Sequence, residues 1–262
     1  MNIVEKTAKI LYENTKNKPL IIHIDSIGFL NFGKHIGTTI EIIINNKLEL
    51  FAQSLVKAEE MGANILIPTF SYTITSDKIY DVLNTPSEVG LATEFLRKKF
   101  PYKRSYDPIF SYLVFSKNEL LNEDFKIKDF NTFGENSLLE TVYKLDGSIG
   151  SIGDVLWRTT EAHYLEKKLN VSYRYDKEFS GKIIGNQAEE GFIKSIFYCR
   201  NLNINREANF KPIINDMRKN NLIKKLEIDN FYIETISFQK LFYEMQKKYK
   251  TNKLYFTKEE NV

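Results

Sequence analysis

The chain of 262 residues contains a single cysteine, Cys199, so no internal disulfide can form. It has no apolar run approaching the roughly 18 residues that a membrane-spanning helix requires. Its first residues alternate charged and apolar side chains and lack the apolar segment of a secretory signal. A lone thiol fits a reducing compartment. We therefore expect a cytoplasmic protein with no membrane partner.

Charge of one sign is not in excess either, since 37 Lys and Arg stand against 34 Asp and Glu. Nucleic-acid-binding proteins usually present a strongly basic face, so we expect no nucleic-acid partner. The three histidines show no metal-ligand spacing with each other or with the cysteine, so we expect no metal. What the chain does have is 42% hydrophobic residues, enough to bury a core. No repeat or linker-like segment divides it, which favours one domain over residues 1–262.

Strand and helix patterns alternate along the first two thirds of the chain. Short β-branched runs predict buried strands at 19–24, 64–67, 109–115 and 148–152, and periodic segments predict helices at 3–13, 40–61, 88–99, 138–145 and 160–169, with Ser87, Ser137 and Thr159 or Thr160 as caps. This order predicts an α/β fold with a central, largely parallel sheet flanked by helices. After residue 172 the pattern is more β-rich, with strands within 190–199 and 222–236, a turn at Asp229-Asn230 and a last helix from Ser237 to about Tyr249.

His163 and Glu166 lie three residues apart in a predicted helix, so both side chains project from one face. A carboxylate that binds one ring nitrogen fixes the imidazole tautomer and leaves the other nitrogen free to accept a proton. The helix follows a predicted strand, and ligands bind at the carboxyl ends of such strands. Taken alone, the spacing is more typical of an ion pair on the surface. His23, inside an apolar strand, is interpreted as a satisfied core or loop-facing residue.

The segment from Gly28 to His35 is a near-match to a phosphate-binding loop, with Gly33 and Lys34 in the expected places. The magnesium-binding Ser or Thr that should follow the lysine is replaced by His35. Bulky residues also fill the loop, where backbone N–H groups should surround a phosphate. A P-loop-like nucleotide-binding protein is therefore the weaker alternative.

Polar side chains are dense in the loops that follow the predicted strands. They are Asp25, Ser26 and Gly28 after the first strand, Tyr72, Asp81 and Glu88 after the second, and Arg104, Ser105 and Ser111 before or within the third. Loops at strand ends with such groups can bind hydroxyls, amines and phosphates. Ordinary turn chemistry explains the same residues equally well.

In their order along the chain these segments resemble the aminoglycoside 3-N-acetyltransferase family, the branch that is not of the GNAT type. The matching positions are Pro68-Thr-Phe-Ser-Tyr72, Asp81, Thr85-Pro-Ser87, Gly90, Glu94, Arg97, Arg104, Ser105, Pro108, Ser111, Phe133, Gly134, Ser137, Thr160, His163, Glu166 and Tyr173-Arg-Tyr175. The resemblance spans about residues 18–185, which it implies to be the catalytic core, with an α+β extension over about 186–262.

The resemblance implies a coenzyme A-dependent N-acyltransferase in which the amine attacks the thioester directly. His163 is then the general base, Glu166 stabilises its imidazolium, and Thr160 positions the thioester or the amine. The expected coenzyme contacts are Ser26, Gly28, Arg104, Ser105 and Ser111, and the expected acceptor contacts are Asp25, Tyr72, Asp81 and Glu88. The co-substrate is acetyl-CoA or another acyl-CoA, such as a 3-hydroxybutanoyl thioester.

The acceptor is predicted from charge. A strongly acidic surface would help to recruit a polycationic antibiotic, whereas this chain has an isoelectric point near 8.6. An anionic, nucleotide-linked amino sugar fits better, for example a dTDP-3-amino-3,6-dideoxyhexose used in surface polysaccharide synthesis. Acetylation of aminoglycosides, conferring antibiotic resistance, is the alternative. The sequence does not indicate an oligomeric state.

Overall fold

The structure, a computed structural model, describes residues 1–125, 129–185 and 191–259. Residue 190, at the start of the predicted strand region 190–199, lies outside them. None of the helices formed by the described residues is long and apolar enough to cross a membrane.

The helices are α1 (Ile3–Thr15), α2 (Ile40–Met61), α3 (Thr73–Ser76), α4 (Leu91–Lys99), α5 (Leu138–Lys144), α6 (Glu161–Lys168), α7 (Lys211–Lys219) and α8 (Phe238–Thr251). The strands are β1 (Leu20–Ile24), β2 (Ile65–Pro68), β3 (Ile79–Asp81), β4 (Tyr112–Phe115), β5 (Phe130–Asn131), β6 (Ser148–Ile152), β7 (Arg174–Ile184), β8 (Gly191–Arg200), β9 (Arg206–Ala208), β10 (Lys224–Ile228), β11 (Phe231–Ser237) and β12 (Thr257–Glu259).

A six-stranded sheet forms the centre, in the order β10-β11-β6-β1-β2-β4. Its middle strands β6, β1 and β2 are parallel. On one side β4 pairs antiparallel with β2, and on the other β11 pairs antiparallel with both β6 and β10. Hydrophobic side chains from alternate strand positions enter two cores, one on each face: Ile21 packs on one side and Leu20 and Ile22 on the other. The predicted α/β fold with a parallel centre is confirmed.

A second sheet, in the order β3-β7-β8-β5, is built around the long antiparallel pair of β7 and β8. The sequence predicts the strand at 190–199 but neither β7 nor α7. One face of this sheet packs on the core that also contains the residues of α6, so it forms a wall beside that helix. The β-rich character predicted for the chain after residue 172 is confirmed.

Several element ends follow directly from local chemistry. Helix α2 ends at Gly62, whose φ of 102° is left-handed and suits a residue without a Cβ. The Ser137 and Ser237 side chains accept the Glu140 and Lys240 amides and so cap α5 and α8. Asp229 adopts a φ of 54° in the turn between β10 and β11, as the hairpin prediction requires.

The predicted start of helix α4, at residue 88, was wrong by three residues. The helix begins at Leu91 after Gly90, whose φ is 123°. Ser87 is not its cap: the Ser87 hydroxyl bonds the Thr93 hydroxyl, and its amide donates to the Glu94 carboxylate at 2.8 Å. Local capping rules identified a polar residue near the helix start, but the tertiary packing of the loop selected Gly90 as the last non-helical residue.

The predicted third strand is also shorter than expected, since it begins at Tyr112 and not at Ile109. The Asp107 carboxylate accepts hydrogen bonds from the Ile109 and Phe110 amides, at 2.9 and 3.0 Å. These two amides are therefore not available for hydrogen bonds to a neighbouring strand.

Candidate active site

The carboxyl ends of the three parallel strands meet at one edge of the central sheet, where an open cavity of about 490 Å³ lies. We call it the strand-end cavity. It is lined by His23, Asp25 and Ser26 from the end of β1, Pro68 and Phe70 from the end of β2, Glu88 and Gly90 before α4, and Arg158 and Thr160 after β6. Its position is the one at which ligands bind in open α/β sheets.

Two glycines bring the loops below this cavity into contact. A Cβ on Gly28 would lie 2.7 Å from the Gly153 amide nitrogen, and a Cβ on Gly153 would lie 2.8 Å from Cβ of Asp25. Gly28 therefore allows the loop after β1 to pack on the loop after β6, and it is not among the residues that line the cavity. The structure shows this packing role for Gly28 and places Ser26 on the cavity wall, and the coenzyme contacts of both residues stay predictions.

The near-match to a phosphate-binding loop does not form a phosphate cradle. Residues Ser26–Asn31 form a short 3₁₀ helix, and Phe29 and Phe32 are fully buried against each other and against Phe51. Lys34 is exposed. The bulky residues that weakened the P-loop reading in the sequence are thus core residues.

His163 and Glu166 form the predicted pair in α6, with 2.7 Å between Nδ1 of the histidine and Oε2 of the glutamate. Glu166 is fully buried, and its other oxygen accepts the Tyr173 hydroxyl at 2.7 Å. The Arg174 guanidinium lies 2.7 Å from Oε2 of Glu166 and 3.2 Å from Nε2 of His163. Because the carboxylate accepts from Nδ1 and the guanidinium donates to Nε2, this network assigns the proton of the neutral ring to Nδ1.

The electrostatics keep the imidazole neutral beside an ionised carboxylate. Burial lowers the pKa of His163 and the Arg174 charge lowers it further, against the opposing effect of Glu166. Burial raises the pKa of Glu166, but hydrogen bonds from His163 and Tyr173 and the charge of Arg174 outweigh it, so the net shift of that pKa is downward. A neutral ring is the state that a general base requires.

The His163 side chain, 19% exposed, opens into a second cavity of about 490 Å³. We call it the dyad cavity. Its walls combine aromatic rings with charged groups: Tyr72, Phe110 and Phe197, then Arg174, Arg200 and Glu207. Thr160 lines both this cavity and the strand-end cavity. The two cavities therefore share Thr160 as a wall residue.

The four residues predicted to contact the acceptor do not lie in one place. Asp25 and Glu88 line the strand-end cavity, and Tyr72 lines the dyad cavity. Glu88 also accepts the Tyr72 amide at 2.8 Å, which links the two walls. Asp81 lines neither: its Oδ1 accepts the Leu83 and Asn84 amides, each at 3.0 Å. As the last residue of β3, Asp81 stabilises the turn that follows, and it lies outside both cavities where an acceptor contact would be made.

Three predicted coenzyme contacts lie in the interior. Arg104, Ser105 and Ser111 are fully buried. The Arg104 guanidinium donates to the Ser111 hydroxyl and to three backbone carbonyls, those of Thr69, Val82 and Thr85. The Ser105 hydroxyl accepts the Tyr112 amide at 2.9 Å. These side chains have no surface to offer a coenzyme, and they hold together the loops behind the site instead.

Sequence reasoning missed a second imidazole–carboxylate pair. His23 Nε2 lies 2.6 Å from Oε2 of Glu161, which is fully buried. His23 lines the strand-end cavity, so it is not simply a core residue. Reasoning from local spacing also missed the contributions of β7 and β8 to the dyad cavity. His23 and Glu161 stand 138 positions apart in the chain, so no local spacing connects them.

Comparisons with known proteins agree with this geometry. Residues 44–250 match the sequence model of a family described as aminoglycoside 3-N-acetyltransferase. No curated protein sequence matches the chain.

Solved structures share the fold. The YokD protein from Bacillus subtilis superposes with a TM-score of 0.64 at 15% identity, covering 100% of this chain and 96% of that one. AAC-IIIb, solved as a binary complex with CoASH, gives 0.63 at 12% identity, covering 96% and 97%. AAC-VIa bound to sisomicin gives 0.66 at 14% identity, covering 95% and 96%.

Proposed function

Because the chain belongs to the aminoglycoside 3-N-acetyltransferase family and is therefore an acyl-coenzyme A-dependent N-acyltransferase, we propose that its acceptor is the amine of a nucleotide-linked amino sugar. The observation that carries the chemistry is the His163–Glu166 pair, whose ring opens into the dyad cavity. The acceptor class rests on the cationic and aromatic walls of that cavity.

The acceptor amine lies in the dyad cavity and gives a proton to Nε2 of His163 while its nitrogen attacks the thioester carbonyl. Glu166, ionised and hydrogen-bonded to Nδ1, stabilises the imidazolium that forms. In the structure Arg174 donates to Nε2, so the acceptor displaces this guanidinium from the ring nitrogen. A negatively charged group on the acceptor is the natural partner for the displaced guanidinium.

The acyl donor lies in the strand-end cavity in this proposal. That cavity adjoins the dyad cavity at Thr160, so a thioester there meets an amine held by His163. Ser26 offers a hydroxyl at the end of β1, and the exposed Arg158 offers a positive charge to the phosphates of coenzyme A. AAC-IIIb, a structural neighbour, was solved with CoASH. The acyl group is acetyl or a larger one of the 3-hydroxybutanoyl type.

The charge of the dyad cavity favours an anionic acceptor over a polycation. Two arginines, Arg174 and Arg200, line it with one glutamate, Glu207. Arg174 is paired with the buried Glu166 and Glu207 with Lys258, so the positive groups exceed the negative ones by the charge of Arg200. The rings of Tyr72 and Phe197, whose centroids lie 6.1 Å apart, provide flat surfaces for a base or a sugar. A diphosphate bridging a base and an amino sugar satisfies both features, and its sugar would serve surface polysaccharide synthesis.

An aminoglycoside acceptor is the second candidate. Asp25 and Glu88 place two carboxylates on the strand-end cavity, where they suit ammonium groups. The structural neighbour AAC-VIa was solved with sisomicin. In this arrangement the antibiotic would reach His163 past Thr160 from the strand-end cavity.

Release of the coenzyme thiol, measured with acetyl-CoA and a panel of acceptors, tests the two candidates. We expect turnover with a dTDP-linked 3-amino-sugar, and an Arg200→Gln variant should raise KM for that substrate about tenfold while leaving KM for acetyl-CoA unchanged. Lys182→Gln, on the exposed part of β7, provides the matched loss of one positive charge. Turnover of sisomicin with no turnover of the nucleotide sugar would favour the antibiotic.

The pH dependence of kcat/KM follows from the lowered pKa of His163. The base works only when neutral, so activity falls as the pH drops through its pKa, and this limb should lie below the ordinary value of 6.5. Because Arg174 contributes to the lowering, Arg174→Gln should move the limb to higher pH. Arg158→Gln, which removes an exposed charge outside the pair's contacts, should leave the limb in place. A limb above 6.5 in the wild-type enzyme would contradict the neutral-base assignment.

A further inference from the structure

His23 belongs to a buried network that repeats the arrangement of the catalytic pair. Its Nε2 lies 2.6 Å from Oε2 of Glu161, and Oε1 of Glu161 accepts the Tyr112 hydroxyl at 2.7 Å. In the same way Glu166 binds a histidine and a tyrosine hydroxyl. The molecule therefore contains two imidazoles, each held by a fully buried carboxylate that also accepts a tyrosine.

The two networks serve different cavities. Glu161 and Glu166 both belong to α6, and residues five apart on a helix point in directions about 140° apart. His23 consequently faces the strand-end cavity and His163 faces the dyad cavity. Thr160, which lines both, lies at the junction. In the proposed reaction the acyl donor and the acceptor amine thus each meet one imidazole.

The network around His23 contains a buried carboxylate, Glu161, that a purely structural role would not require. Burying an ionised carboxylate is unfavourable, and apolar residues of similar volume often stabilise a protein as well or better. Burial raises the pKa of Glu161, but the charge and hydrogen bond of His23 and the hydrogen bond of Tyr112 outweigh it, so the pKa is lowered. This carboxylate is the partner of Nε2, so Nδ1 is the ring nitrogen that Glu161 leaves open. Nδ1 of His23 has no hydrogen bond within the described part of the chain, and the ring is 14% exposed.

We propose that His23 is a second proton-transfer residue, which protonates the sulfur of coenzyme A as the thioester breaks. This inference rests on the proposed acyl transfer. The amine nitrogen forms the C–N bond and its proton goes to Nε2 of His163. The C–S bond breaks, its electron pair goes to sulfur, and the sulfur takes the proton from Nδ1 of His23. Water then restores the proton to His23 and removes the proton from His163. Glu161 keeps Nε2 occupied, so that Nδ1 is the nitrogen presented to the sulfur.

The kinetic test compares His23→Gln with the wild-type enzyme on two acyl donors. Glutamine keeps a donor for Glu161 but has no proton to transfer. With acetyl-CoA the variant should lose about 10²-fold in kcat. With an S-(4-nitrophenyl) thioester the loss should be less than about threefold, because this thiolate leaves without a proton. His163→Ala should be slow on both donors, since the amine proton must still be removed.

Glu161→Gln provides a second variant in case His23→Gln is poorly folded, and it should show the same donor dependence with a smaller loss. Equal losses on both donors, or no loss on acetyl-CoA, would overturn the proposal. A wild-type enzyme that acylates no amino sugar or antibiotic would instead overturn the proposed function, and this inference with it.

Binding gives a test that does not depend on turnover. The wild-type protein should bind coenzyme A about 3- to 10-fold more tightly than desulfo-coenzyme A, because the sulfur accepts a hydrogen bond from His23. In His23→Gln this preference should disappear, while affinity for desulfo-coenzyme A stays unchanged. Titration calorimetry with both compounds measures the difference. A preference that survives in the variant would place the sulfur away from His23.

Discussion

Replacing His163 by alanine should lower kcat by about 10²- to 10⁴-fold, the range expected for loss of a general base. The side chain is held by Glu166, and the partly exposed ring faces the dyad cavity. Acyl-CoA, which we place in the strand-end cavity, should still bind. Thiol-release kinetics and acyl-CoA titration measure the two quantities separately.

His35→Ala is the matched control, because it removes an exposed imidazole from the loop before α2. It should leave kcat and the melting temperature unchanged. Near wild-type turnover of His163→Ala would refute the base assignment. A parallel loss of acyl-CoA binding would mean that the ring holds the donor and not the amine.

Replacing Arg104 by methionine should lower the free energy of unfolding by about 3–5 kcal/mol. The guanidinium is fully buried and donates to the carbonyls of Thr69, Val82 and Thr85 and to the Ser111 hydroxyl. It also lies 5.0 Å from the centre of the Tyr80 ring. Methionine fills part of the volume, but it removes the donor that the guanidinium gives to the buried Val82 and Thr85 carbonyls, while Thr69 keeps its bond from the Ser111 hydroxyl.

Urea denaturation of Arg104→Met and of Arg158→Met measures this effect. Arg158 is exposed, so its replacement should change the unfolding free energy by less than about 0.5 kcal/mol. The pair of variants separates the structural role from the coenzyme contact that the sequence predicts. A stable Arg104→Met protein with a raised KM for acyl-CoA would restore that contact.

Much of the site was predictable because its signals are local. The spacing of His163 and Glu166 places both side chains on one helical face, and the structure shows the resulting hydrogen bond. The end of α2 at Gly62 and the turn at Asp229 follow from backbone preferences of single residues. The order of short motifs indicated the family, which the match over residues 44–250 confirms.

Local signals failed where polar residues have two uses. Arg104, Ser105 and Asp81 have the residue types of a binding loop, and the structure uses all three to satisfy backbone or buried side-chain groups. A sequence shows that a polar side chain is present near a strand end. It does not show whether the side chain turns outward to a ligand or inward to an unpaired carbonyl, since both satisfy its hydrogen bonds.

By itself the sequence determined most helices and strands of the first two thirds of the chain and the spacing of the His163–Glu166 pair, because each depends on neighbours within a few residues. Only the tertiary structure decided that Arg174 and Arg200, which are cross-strand partners at one end of the β7–β8 pairing, line the cavity that His163 faces. It alone also paired His23 with Glu161 across 138 positions. Such contacts depend on which strands become neighbours and in which register, and the packing of the whole chain selects both.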